Sequence, residues 1–273
     1  MTFELTGLEG KVVVVTGAGR MRSIGRQAAL AFAKAGCDVV VTGTGRSPDR
    51  FPDEEKAAGW RDIESVADEV RALGRRAVPV VMDVAEEAQA QDLIDRTVRE
   101  LGRIDFLVNN AAAARGEDRV PVSEMDLETW DLVIRVKLRG GFLMSRAFAR
   151  EMLKHERPGA IVNISSVAGK RMGPNATAYS ASNAGLQALS AGMSGELGPH
   201  GIRVNTICPG AIDTARMADI PRDRWDQMAA NNPMRRTSDG TDIANMAVYL
   251  CSDQGNWING QAINVDGGSM TAH

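Results

Sequence analysis

Residues 11–36 read KVVVVTGAGRMRSIGRQAALAFAKAG: a β-branched run, a glycine-bearing turn and an alanine-rich amphipathic stretch in immediate succession. Four consecutive valines without polar alternation predict a strand buried on both faces, the habit of a parallel sheet. The turn opens a helix. Glycines there let the backbone approach a bound anion, and the helix N-terminus offers unpaired N–H groups and partial positive charge. This order of strand, turn and helix predicts a pyrophosphate cradle, where a lone glycine-rich turn would carry little weight. The plainer alternative is a set of glycines serving only a tight turn. Gly17, Gly19, Ser23, Ile24 and Gly25 are the first candidate cofactor contacts.

The same alternation continues along the chain. Apolar runs at Lys11–Thr16, Asp38–Thr42, Val78–Asp83, Asp105–Asn109, Ala160–Ser165, Arg203–Cys208 and Gln261–Val265 predict seven parallel strands. Helices are expected at Ile24–Ala35, Gly59–Leu73, Ala85–Leu101, Asp126–His155, Tyr179–Leu197 and Asp239–Cys251, with Gly36, Gly74, Gly102 and Gly198 as left-handed C-terminal residues. The 273 residues hold no linker-like stretch, so residues 1–273 are expected to form one α/β domain with a doubly wound, Rossmann-like sheet. Arg46–Gly59 reads as a surface insertion. Residues 215–237, irregular and bearing Arg and Met, are where a lid would lie.

Composition narrows the function classes. A formal charge of -3 with interspersed acids and bases leaves no basic footprint for nucleic acid. No apolar run approaches the ~20 residues that span a bilayer, and the start MTFELTGLEGK lacks a signal-peptide pattern. A cytoplasmic protein with a small-molecule partner is expected. Cys37, Cys208 and Cys251 are odd in number and widely spaced, which suits buried thiols better than disulfides. His155, His200 and His273 sit in no HxxxH or HExxH setting, so no metal site is expected.

The second strand ends in Gly43, Thr44, Gly45 and Arg46, with no acid where a carboxylate would hold a ribose 2′-hydroxyl. Arg20 or Arg22, with Thr44 and Arg46, can instead hold a 2′-phosphate by charge-assisted hydrogen bonds. NADP(H) is therefore the expected cofactor and NAD(H) the alternative. The bland reading makes these arginines solvated loop charges.

In IVNISSVAGKRMGPNATAYSASNAG, residues 161–185, Ser166 precedes Tyr179 by thirteen positions and Asn183 follows. The segment resembles the catalytic stretch of the short-chain dehydrogenase/reductase family. The resemblance extends over VMDV, NNAA, IRVNTICPGAIDT and GQAINVDGG, nearly the whole chain. It implies an oxidoreductase that moves a hydride between a nicotinamide and a carbonyl or secondary alcohol, and commonly a homotetramer. Against the family's TGxxxGxG, Gly17 and Gly25 match, Ser23 replaces the middle glycine, and two extra residues imply a bulged loop in which Gly19 relieves strain. The resemblance makes Asp83 an adenine contact and Asn109 the first asparagine of the family's NNAG. It extends the cofactor set to Val84, Ala111, Pro209, Gly210, Ile212, Thr214, Tyr179 and Asn183.

By the same resemblance Ser166 polarises the substrate carbonyl and Tyr179 exchanges the proton. The family's YxxxK, however, reads YxxxN here, and Lys137 holds the position of the family's helix asparagine. A free phenol titrates at about 10 and needs a cation beside it to act as a base near neutrality. Asn183 carries no charge. Lys137, with a longer side chain, can reach that place while Asn183 takes a ribose hydroxyl or the bridging water. The other reading is an impaired site with Lys137 an ordinary helix charge beside Arg135 and Arg139. An unassisted tyrosine favours ketoreduction over alcohol oxidation. A nucleotide-binding sensor or scaffold, and a non-redox lyase, are the rival functions. Met172, Asn175, Met217, Trp225 and Met228 are candidate substrate-lining residues. Arg216, Arg222, Arg224, Arg235 and Arg236 read better as a solvated lid face than as an anion site.

Overall fold

In a computed structural model that describes residues 4–271, seven strands form one parallel sheet in the order β3-β2-β1-β4-β5-β6-β7. They are β1 Val12–Val15, β2 Asp38–Gly43, β3 Ala77–Val81, β4 Phe106–Asn109, β5 Gly159–Ile164, β6 Ile202–Pro209 and β7 Ala262–Val265. Each expected strand is present to within two residues of its bounds. His273 lies outside the described residues.

The valines of β1 show why a continuous apolar run suits such a sheet. Val13 and Val15 face one core, with Phe32, Val66 and Ile243, while Val12 and Val14 face the other, with Ile94, Leu107 and Phe148. Alternate side chains leave a strand on opposite faces, so both must be apolar. Helices α1 (Ile24–Lys34), α3 (Ile63–Ala72) and α9 (Thr241–Cys251) cover the first face. Helices α4 (Glu87–Leu101), α6 (Gly140–Lys154) and α7 (Thr177–Leu197) cover the second. The chain runs outward from β1 to β3 and then returns to place β4 on the other side of β1. Such a reversal opens a crevice at the C-terminal strand ends, where ligands of this architecture bind.

Several expectations change in three dimensions. The long helix expected at Asp126–His155 is α5 (Leu127–Ile134), a π-helical turn at Arg135–Arg139, and α6. Widened turns of this kind gather at functional sites, and Lys137 sits in the middle of this one. The helix expected from Gly59 starts at Ile63, because Trp60 and Asp62 turn toward Gly19 instead. Gly36, Gly74 and Gly102 are left-handed as expected, but Gly198 has φ -53. Pro199 is tolerated in the first turn of a 3-10 extension, so the left-handed residue moves on to Gly201.

The insertion Arg46–Gly59 is not merely surface. It forms a 3-10 turn and the short helix α2 (Asp53–Ala57), and it buries Phe51 and Glu55. Glu55 accepts the Met21 N–H at 2.8 Å, so the insertion folds onto the glycine turn. Helix α8 (Arg222–Asn231) forms within residues 215–237, a stretch that looks irregular in the sequence.

Candidate active site

The turn after β1 is held by its neighbours across the sheet. Gly17 has φ +67, and a Cβ there would lie 2.8 Å from the Ala111 Cα, so the loop can rest against the chain leaving β4 only with glycine. Asn110 fastens it: its amide donates to the carbonyls of Thr16 and Gly17, both at 2.9 Å, and the Thr16 hydroxyl accepts from the Asn110 N–H at 3.0 Å. The motif NNAA marks Asn109 in the sequence, yet Asn110 is the residue that reaches the turn. Asn109, at the buried end of β4, instead donates to Asn163 at 2.8 Å and to Ser145 at 2.9 Å. Asn163 donates in turn to Ser190 on α7, which also receives the Thr206 hydroxyl. This ladder ties β4, β5 and β6 to the helix that carries Tyr179. The first residue beyond a strand end faces the crevice, and that was the available signal for Asn110.

Ser23 caps α1. Its hydroxyl accepts the Arg26 N–H at 3.1 Å and donates to the Arg20 carbonyl at 2.9 Å, which closes the lengthened loop. Gly19 is required by contact: a Cβ there would overlap the Asp62 carboxylate. Gly25 is required likewise, 2.7 Å from the Gly17 carbonyl. The turn, the left-handed Gly17 and the free N–H groups at the start of α1 therefore fit a dinucleotide.

Two of the arginines assigned to a 2′-phosphate are already engaged. Arg22 pairs with Glu54 at 2.9 Å and Asp213 at 2.5 Å. Arg46 pairs with Glu55 at 2.9 Å and Asp62 at 2.8 Å. Arg20 is partly buried, and burial, with Arg46 nearby, lowers its pKa. Thr44 is exposed. The Asp83 carboxylate accepts the Ala85 N–H at 2.9 Å and pairs with Arg135 at 3.0 Å. Val84, Asn109, Ala111 and Lys137 border one small crevice beneath the turn.

Beyond the turn, a cleft of about 710 Å³ runs from Ile24 past Pro209, Gly210, Ile212 and Thr214 to Ser166, Tyr179 and Lys137. Ser165 and Ser166 are told apart by their partners. The Ser165 hydroxyl donates to the Asn183 carbonyl at 3.1 Å, whereas the Ser166 hydroxyl takes only the Ala168 N–H at 3.1 Å and keeps its own proton free. Lys137 is 6% exposed, and its ammonium lies 3.4 Å from the Ala111 carbonyl. Burial, and then the charge of Arg216, lower its pKa to about 7. It is therefore no ordinary surface charge.

Asn183 is fully buried beneath Tyr179 and does not border the cleft. Its amide donates to the Tyr179 carbonyl at 2.7 Å, and its Oδ1 has no hydrogen-bond partner among the described residues. Of the two roles expected for it, a ribose hydroxyl or a bridging water, this place beneath Tyr179 suits the water. An orphaned buried oxygen is the acceptor a bridging water would use.

Of the candidate lining residues, Asn175 and Met217 border the cleft. Trp225 is buried in α8, Met172 is 61% exposed, and neither Met172 nor Met228 borders the cleft. Arg216 and Arg224 face the cleft, while Arg222 pairs with Asp226 and Arg236 with Asp242. Arg115 and Arg119, from the loop after β4, also face it and were not singled out in the sequence. Their place in a loop at the C-terminal edge of the sheet was the signal.

The chain is similar to known proteins along nearly its whole length. A family model described as enoyl-(acyl carrier protein) reductase matches residues 17–270. The chain is 33% identical over 261 residues to 3-oxoacyl-[acyl-carrier-protein] reductase FabG of Thermotoga maritima, covering 96% of this chain and 98% of that protein. It is 33% identical over 272 residues to 2-dehydro-3-deoxy-D-gluconate 5-dehydrogenase of Escherichia coli, covering 98% of each. A solved 7 alpha-hydroxysteroid dehydrogenase, complexed with NADH and 7-oxo glycochenodeoxycholic acid, superposes with a TM-score of 0.83 at 34% identity, covering 97% of this chain and 96% of the other. Fold, glycine turn, cleft and these likenesses agree: the chain belongs to the short-chain dehydrogenase/reductase family of nicotinamide-dependent oxidoreductases that act on carbonyl and alcohol groups.

Proposed function

We propose that this protein reduces a small carbonyl compound, with Ser166 and Tyr179 at the reacting oxygen and Lys137 supplying the cation that Asn183 does not. One observation carries the reading: Ser166, Tyr179 and a buried Lys137 border a single cleft at the reversal point of the sheet. When bound, the nicotinamide supplies or accepts the hydride. Gly17, Gly19, Ser23, Gly25 and the start of α1 would hold its pyrophosphate, with Ile212 and Thr214 toward the nicotinamide end. The Ser166 hydroxyl donates to the carbonyl oxygen and polarises it, and the Tyr179 hydroxyl gives that oxygen its proton. Lys137, titrating near neutrality, is cationic in part at pH 7 and can steady the negative charge that builds on the Tyr179 oxygen. Asn183 supports this from behind, through a water on its free Oδ1.

The pairings at the glycine turn bear on the cofactor's form. NADP(H) was expected because no acid ends β2. In the fold, Glu54, Glu55, Asp62 and Asp213 meet Arg22 and Arg46, so a dianionic 2′-phosphate would have to displace carboxylates already in place. We read the site as taking NAD(H) in preference. Residues 215–237 act as the lid, joined to the glycine turn through the Ala215 N–H and the Arg22 carbonyl at 2.8 Å. A homotetramer is favoured by the exposed small residues Ala188, Ala191, Gly192 and Gly195 on α7, which permit close helix packing.

The test is a carbonyl panel with NADH and NADPH on wild type, Lys137→Asn, Asn183→Lys and the double replacement. Active wild type with inactive Lys137→Asn supports the relocated cation. Activity gained only in the double replacement shows an impaired native site. Turnover without any change in nicotinamide absorbance would mean lyase chemistry, and cofactor binding without turnover a sensor.

A further inference from the structure

Arg115, Arg119, Lys137, Arg216 and Arg224 border the cleft, and among the described residues no aspartate or glutamate does. Two of these cations stand where the chemistry is placed. The Arg119 guanidinium lies 4.3 Å from the centre of the Tyr179 ring, and that of Arg216 lies 4.9 Å from it. They arrive from separate segments, one after β4 and one after β6.

Neither charge is met as its neighbours' charges are. Arg115 pairs with Asp219, and Arg22 and Arg46 each hold two carboxylates. Arg119 has, among the described residues, only Asp118 at 3.6 Å, and its Nε is buried with no hydrogen-bond partner. Arg216 gives its Nε to the Ala113 carbonyl at 3.0 Å and, among the described residues, pairs with no carboxylate. Stacking on an aromatic face attracts a guanidinium but does not neutralise it. Burial first, and then the charge of Arg216, lowers the pKa of both Arg119 and Lys137, so Arg216 stands in the cleft as a positive charge that no carboxylate among the described residues pairs with.

We propose that Arg119 and Arg216 form an anion subsite, and that the substrate is an oxo acid whose carboxylate they hold while its ketone faces Ser166 and Tyr179. The assignment deepens the oxidoreductase reading and rests on it. A carboxylate suits the pair because its two coplanar oxygens match the forked donors of a guanidinium. The cofactor's own phosphates belong at the start of α1, whereas Arg119, on the loop after β4, stands over the Tyr179 ring. The subsite therefore reads the substrate and fixes how far the ketone stands from the carboxylate.

The experiment follows NADH consumption with short oxo acids bearing the ketone at the second, third or fourth carbon, each beside its amide and methyl ester. The expected result is a preference for the acid of about tenfold or more per guanidinium, carried mainly in KM, since a hydrogen bond to a charged group is worth that much. Arg119→Gln and Arg216→Gln should each collapse the acid-to-amide ratio, and Arg119→Lys should restore part of it. Arg222→Gln, exposed and outside the cleft, should leave the ratio as it is. Equal turnover of acid and amide overturns the subsite while leaving the oxidoreductase reading intact. A preference for a phosphorylated ketone over every acid also overturns it, as does an Arg216→Gln variant that loses NADH affinity with the ratio unchanged. Should no ketone be reduced, the oxidoreductase reading fails and calorimetry decides the subsite. Saturable binding of oxamate that oxamide lacks, and that Arg119→Gln abolishes, supports it. Absence of that binding overturns it.

Discussion

Lys137 shows how one side chain takes its properties from its surroundings. Its ordinary value is 10.5, and burial brings it to about 7 in the folded chain. Between those two values the unfolded chain binds the proton and the folded chain does not, so folding is opposed by this lysine at neutral pH. Stability should rise as pH climbs from 7 toward 10.5, and below about 7 the opposition is at its full extent. Lys137→Met is expected to be more stable than wild type at pH 7 in urea titration, to lose this rise, and to be inactive. Such a split between stability and activity marks a residue kept for chemistry. Tyr179→Phe removes the proton donor alone, and a loss in kcat of about 10²–10⁴ is expected without a change in urea midpoint. A smaller loss would move the proton transfer elsewhere.

The connections between elements place these side chains. Asn110, just past β4, joins two sides of the sheet reversal by bonding the Thr16 and Gly17 carbonyls. Asn110→Ala is expected to lower stability by about 1–3 kcal/mol, because two buried carbonyls lose their donor, and to weaken NADH binding through the loosened turn. Titration calorimetry and denaturation read the two effects separately. The inserted α2 segment bears on the cofactor. Glu55→Gln with Asp62→Asn frees the Arg46 guanidinium, so the Kd for NADPH should fall relative to that for NADH. An unchanged ratio would remove the insertion from cofactor choice. The π-helical turn at Arg135–Arg139 has the same positional meaning, since it sets Lys137 inward from a helix whose neighbouring arginines face outward.

Across the entire chain, the two apolar faces of the sheet enclose the thiols as well as the valines. Cys37 is pushed up to about 12 and Cys208 to about 11, both first by burial, and burial raises Cys251 also. None should react with a thiol reagent at pH 7.5 until the protein unfolds, and labelling in the native state would refute their enclosure. If the exposed α7 face pairs between copies, light scattering should give four times the 29.2 kDa chain mass. The architecture was legible in the sequence because each strand and helix writes its own period locally: β1 as four valines, α1 as a glycine-bearing turn followed by an alanine-rich amphipathic stretch. Ser166, Tyr179 and the departure at Asn183 were legible because they stand a few turns apart on one segment. The partners of Arg46, the burial of Lys137, the fastening by Asn110, and the meeting of Arg119 with Arg216 over Tyr179 were not. Each joins residues far apart in the chain, and charge pairing or desolvation depends on distances that exist only once the sheet has brought those segments together.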